Sequence, residues 1–130
     1  MEGARVVQAE VLRKLESTER LKVHVVWTPV MATDNLAAAM HSRDIITDGR
    51  ATHYWDADQS LGKTYTRFVE LPEGNDTLAW DIYFVYEPGS RWGEADAPAP
   101  ADWWHQLSFG DRYLADGDGL RAALQSAAGE

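Results

Sequence analysis

Cysteine is absent from all 130 residues. No disulfide, thiolate nucleophile or zinc-thiolate site can be built from this chain, which removes several enzyme classes at once. Basic residues are also few, 12 Lys and Arg against 21 Asp and Glu, and they are scattered through a chain whose formal charge is -9. Nucleic-acid binding draws most of its non-specific affinity from clustered cations, so nucleic acid is not an expected partner. No apolar run approaches the ~20 residues needed to cross a bilayer. Glu2, Arg5, Gln8 and Glu10 interrupt any apolar core of a signal peptide. The expectation is a protein with no membrane partner, placed in the cytoplasm by default. Neither a nucleophile elbow nor a Gly-rich phosphate loop occurs, and no cofactor is implied.

What is present is enough for a core. Hydrophobic residues make up 45% of the chain and six Trp are among them; a domain of this length buries about two-thirds of its unfolded surface. Ala4, Val7, Val11 and Leu15 recur at helical spacing, which predicts a helix over 3–17. LKVHVVWTP is a short run rich in β-branched residues without polar alternation, the pattern of a parallel strand buried on both faces. Thr33 or Asp34 offers an N-cap to a helix over 34–43. ATHYWD reads as a short strand, and Asp58 or Ser60 caps a helix bearing Leu61, Tyr65 and Phe68. LAWDIYFVYEPG alternates two sets of residues before a Pro-Gly turn and predicts a strand. An irregular Pro-, Ala- and Gly-rich loop follows from Gly89 to Ala101. WWHQLSF is the next strand, and Asp116 or Asp118 starts a last helix through Leu120, Ala123 and Leu124. The order of helix, strand, helix, short strand, helix, antiparallel strand pair and helix points to a single small α/β layer domain.

That order, with the words GARVVQAEVL, VHVVWTPV, THYWDAD, LAWDIYFVYEPGSRW and WWHQL, resembles a family of bacterial thioredoxin-like proteins over nearly the whole chain. The resemblance implies a thioredoxin-like fold and a parent activity of thiol-disulfide exchange. Its usual opening, a strand and a Cys-x-x-Cys pair before the first helix, is missing here. Met1, Glu2 and Gly3 stand just past the place of that dithiol turn. A helix N-terminus would lower the pKa of a Cys in the turn, so the chemistry goes with the missing residues. Pro72 lies too far upstream of Leu78 to match the cis-proline of the family. The resemblance therefore implies a thioredoxin-like domain missing its first strand, either because Met1 is internal to a longer frame or because the chain is a Cys-free descendant. The neighbours of a missing central strand would stand about 9 to 10 Å apart with unpaired backbone groups. Such a sheet would close by pairing Val23–Thr28 with Ile82–Tyr86, take a strand from a homodimer partner, or stay incomplete.

Several side chains invite chemistry. His53, Asp56 and Asp58 sit close together in HYWDAD and are metal-ligating types. Their spacing fits neither an EF-hand nor a His-Glu-x-x-His helix, and capping by Asp56 or Asp58 is the simpler expectation. The DGDG stretch at 116–119 is read as a helix start in the same way. His24 is expected inside a buried strand with one partner, and Asp81 in mid-strand is either solvated or buried with one. His105 beside Trp103 and Trp104 can line a pocket, although alternate packing of rings into a core explains the pattern first. The readings are thus a redox-inactive thioredoxin-like domain, a non-catalytic module binding a peptide or sugar, or a metal-dependent enzyme. The module would use Trp55, Trp92, Trp103, Trp104 and His105; the enzyme would use His53, Asp56 and Asp58. With no thiol in the chain, we expect no activity in an insulin-reduction assay, and measurable turnover would place the chemistry outside any sulfur.

Overall fold

In a computed structural model, residues 2–15, 20–30, 34–69, 71, 78–91, 97–107 and 112–129 are described. Helix α1 (Glu2–Val6) runs on through a π-helical segment, Val7–Leu12, and a 3-10 turn, Arg13–Leu15. The expected regular helix is thus wound in three ways, and positions 16–17 of that expectation lie outside the described residues. The π segment is marked by the Arg13 N–H, which donates to the Gln8 carbonyl five residues back. It turns Val7, Val11 and Leu12 inward, and Leu15 completes the same face.

Strands β1 (Val23–Trp27) and β2 (Ala51–Trp55) pair in parallel, Val23 opposite Ala51 and Trp27 opposite Trp55. Parallel neighbours need a crossover. It contains α2 (Leu36–Ser42) and a 3-10 turn at Arg43–Ile45. Asn35 caps α2 by accepting from the Ala38 N–H at 2.8 Å, where Thr33 or Asp34 was expected; the Asp34 carboxylate instead accepts from Val30 N. Thr33 lies outside the described residues. β1 is not buried on both faces. His24 and Val26 are exposed while Val23 and Val25 pack on the core, because the described helices cover one face of this pair. His24 is therefore a surface residue, its Nδ1 3.0 Å from the Tyr54 hydroxyl.

α3 (Ser60–Tyr65) follows β2 and continues as a 3-10 turn, Thr66–Phe68. β3 (Ile82–Val85) and β4 (Asp102–His105) pair antiparallel, Ile82 opposite His105 and Val85 opposite Asp102. β3 is much shorter than the alternation predicts. Asp81 adopts a left-handed φ of 55°, which takes the chain out of the extended conformation just before Ile82. Asp81 is thus a turn residue outside the strand, and its carboxylate accepts from the Tyr83 hydroxyl at 2.7 Å. β4 is short too, and Ser108 and Phe109 lie outside the described residues. α4 (Asp118–Ala127) closes the fold, with Asp116 accepting from the Asp118 N–H and Gly117 at a φ of 82°. Only glycine takes that conformation readily, and a side chain there would also press on Val11.

The sheets are separate. Among the described residues β1 pairs only with β2 and β3 only with β4, so the expected direct pairing of Val23–Thr28 with Ile82–Tyr86 does not form. Side chains join the two pairs instead. Val7, Val11, Leu12 and Leu15 meet Ile46, Val85, Leu114 and Leu120 in one cluster, with Val23, Val25, Ala51, Tyr83 and Trp104 packed around it. Gly3 is buried where a Cβ would collide with the Tyr83 hydroxyl, so the first helical turn sits directly on β3. The architecture is α/β with two small sheets, and no helix among the described residues is long and apolar enough to cross a membrane.

At the other end of the first helical run, Arg50 donates to the Leu12 and Leu15 carbonyls at 2.9 and 2.7 Å. Its guanidinium also grips Asp48 through Nε and Nη2. The Gln8 side chain accepts from Thr47 and Asp48 N–H, fastening the same loop to the helix. The Arg50 hydrogen bond holds the Asp48 carboxyl below its ordinary range despite burial, which acts the other way. A carboxyl depressed on folding contributes stability above its unfolded pKa, and loses it as pH falls through the folded one. We expect Arg50→Met to cost roughly 3 kcal/mol in urea unfolding, since it strands Asp48 and two helix-end carbonyls. Asp48→Asn should flatten the loss of stability below about pH 4; an unchanged acid limb would remove Asp48 from that role.

Candidate functional site

Trp27 and Trp55 are register partners at the C-terminal ends of the parallel pair. Ligands of open α/β sheets are bound outside that end of the strands. Here α2 stands off from the strands there and leaves an open cleft of about 250 Å³, lined by Trp27, Leu36, Met40, Arg43, Tyr54 and Trp55 together with Ala39 and His53. A second hollow of about 420 Å³ runs on from it under the Arg43–Ile45 turn, toward Thr47 and Asp48. Met40, Arg43 and His53 belong to both walls. Leu36 and Met40 are 52% and 55% exposed, so the apolar wall faces solvent where a core residue would be covered.

His53 is fixed between the two spaces. Its ring lies parallel to Trp27, with centroids 6.1 Å apart. Trp27 Nε1 can only donate, and it reaches His53 Nδ1 at 3.0 Å, so Nδ1 is the acceptor. Nε2 then carries the proton and donates to the Ile46 carbonyl at 3.1 Å. Both ring nitrogens are engaged. Asp56 is engaged as well: it is buried and accepts from Ser60 Oγ, Leu61 N–H and Gly62 N–H, which makes it the cap of α3. Asp58 accepts from the Ser60 N–H, and hydrogen bonding to Ser60 holds its carboxyl below the ordinary range. The metal-ligating trio of the sequence is spent on structure, and no group of three or more such side chains gathers among the described residues.

Of the aromatic residues singled out in the sequence, Trp55 alone is brought to the cleft. Trp104 packs on the core beneath α4, its indole against Gly119. His105 is fully buried because β4 turns it inward, and its Nδ1 accepts from the Leu107 N–H. Trp103 carries the Arg112 guanidinium over its ring at 5.2 Å, and Arg112 pairs with Asp102. Trp92 and Met1 lie outside the described residues; Glu2 is exposed, and Gly3 is taken up by packing on Tyr83.

The other cleft residues, Trp27, Leu36, Met40, Arg43 and Tyr54, were not singled out from the sequence. The signal for one of them was there: Trp27 ends its strand as Trp55 ends the next. Gln59, at a left-handed φ of 63°, reaches the Pro29 carbonyl with its side chain and ties together the two loops that leave these strand ends. A left-handed residue other than Gly, Asn or Asp is held at a cost of order 1 kcal/mol.

No protein-family model, curated protein or solved structure matches this chain. The site stands on its geometry. In a ¹⁵N–¹H long-range correlation spectrum at pH 8, His53 should show a protonated Nε2 and a bare Nδ1. The opposite tautomer would mean that Trp27 does not hold the ring as described.

Proposed function

We propose that this chain is a non-catalytic binding domain whose ligand seats between α2 and the C-terminal ends of β1 and β2. One observation carries the reading. Two indoles, Trp27 and Trp55, stand side by side with Leu36 and Met40 around an open cleft although the buried core excludes them. Aromatic faces with a few placed polar groups are the usual lining of small-ligand sites. The alternative sites are spent: Trp104 and His105 serve the core, and His53 and Asp56 are saturated by hydrogen bonds. Sugar or peptide binding over the Trp103 and Trp104 strand loses ground for the same reason.

A thioredoxin-like origin remains part of the proposal at the level of layout. It is supported by the order of helix, parallel pair, helix, antiparallel pair and helix, and the absent cysteine would leave such a domain to bind without exchanging disulfides. The test is a backbone amide NMR screen with a set of single-ring aromatic and aliphatic fragments at millimolar concentration. Saturable shifts confined to Trp27, Leu36, Met40, Tyr54 and Trp55 are expected. Shifts centred on Trp103, or none with any fragment, would end the reading.

A further inference from the structure

We infer that the cleft takes a small aromatic monocarboxylate, ring against Trp27 and Trp55 and carboxylate on Arg43. The inference rests on the binding reading above and adds the ligand's chemistry to it. Size comes first. At about 250 Å³ the aromatic part lies just under the range of about 300–1,000 Å³ that holds drug-sized molecules, so it suits one ring on a short chain.

The polar groups around it decide the charge. Tyr54 is engaged with His24, Trp27 Nε1 with His53, and His53 with Ile46. Asp48 in the far wall of the larger hollow is neutralised by Arg50. Arg43, on the wall common to both spaces, has no carboxylate within ion-pair distance among the described residues, and only its backbone N–H is engaged, closing α2. A guanidinium forms paired hydrogen bonds with a carboxylate, and a ring within one short chain of that carboxylate would fall on the aromatic wall.

Asp44 lines the larger hollow beyond Arg43, so a second negative charge would meet repulsion there. This limits the ligand to a monoanion. The chain's formal charge of -9 also means that anions are not gathered by the general field, and any that bind report the local cation. A cation at the end of a helix has an ordinary use too, since it complements the helix dipole. That use affects stability and not the choice between ligands.

The experiment compares 3-phenylpropionate, 3-phenylpropan-1-ol and 3-phenylpropylamine by quenching of Trp fluorescence, with the intact protein and with Arg43→Met. Arg43 is exposed, and a far-UV CD melt of the variant checks that it folds. The acid should bind the intact protein roughly tenfold or more tighter than the alcohol, and the amine most weakly. Arg43→Met should erase the preference for the acid while leaving alcohol binding within about twofold. Equal binding of all three, or preference for the amine, overturns the carboxylate and leaves the aromatic cleft standing. Binding of none of them, with no effect of Trp55→Ala on any fragment, overturns the cleft itself.

Discussion

Among the described residues the two strand pairs share no backbone ladder, so the fold depends on the side chains that the first helical run presents to both of them. Val11 and Leu12 are consecutive and essentially fully buried, which a wide π turn allows by bringing neighbouring positions onto the inner face. Burying such side chains contributes about 1.5–3 kcal/mol each. These contacts substitute for the directional hydrogen bonds that would otherwise lock one sheet to the other. Arg50 and Gln8 supply the directional part at the helix end, where the β2 approach is tied to the Leu12 and Leu15 carbonyls. Gly3 supplies it at the start, by letting the helix settle on Tyr83.

This division of labour shapes the candidate site. The helix covers one face of the β1–β2 pair near the start of its strands, through Val23, Val25 and Ala51. Among the described residues the far end is covered by α2, a helix of 7 residues whose buried residue is Ala39. A short helix with a small inward residue cannot fill the space above two indoles, and the cleft is the result. Its walls are nevertheless ordered. The Trp27–His53 stack, the Ile46 carbonyl behind it and the Gln59 tie to Pro29 each fix a group that borders the opening. Preorganised walls reduce the entropy lost when a ligand settles.

Element types were largely legible from hydrophobic period and capping residues. The periodic positions Val7, Val11 and Leu15 do lie in the core, and the parallel and antiparallel pairs fall where β-branched and alternating runs predict strands. Two local features escaped. Asp81 carries no mark in the sequence that it turns left-handed, because a carboxylate suits a solvated strand position equally well. The continuous apolar run around Val23 looks the same whether one face or two are covered, since Val26 is apolar in either case.

The candidate site was less legible, for a physical reason. Composition draws the eye to Trp103, Trp104 and His105 because aromatic rings cluster there in one dimension, yet a strand alternates them between faces: Trp104 packs on the core, His105 is buried and Trp103 lies under Arg112. The cleft gathers Trp27, Arg43 and Trp55 from a strand, a turn and a second strand, and only the parallel register brings them within reach. By itself the sequence determined the absence of sulfur chemistry, the acidic balance and the alternation of helices with strands, because those follow from residue identity and local spacing. Tertiary structure alone decided that the sheets stay apart, that His53 and Asp56 are consumed by hydrogen bonds, and that Trp27 and Trp55 border one cleft with Arg43. Those outcomes depend on which distant side chains compete for the same space.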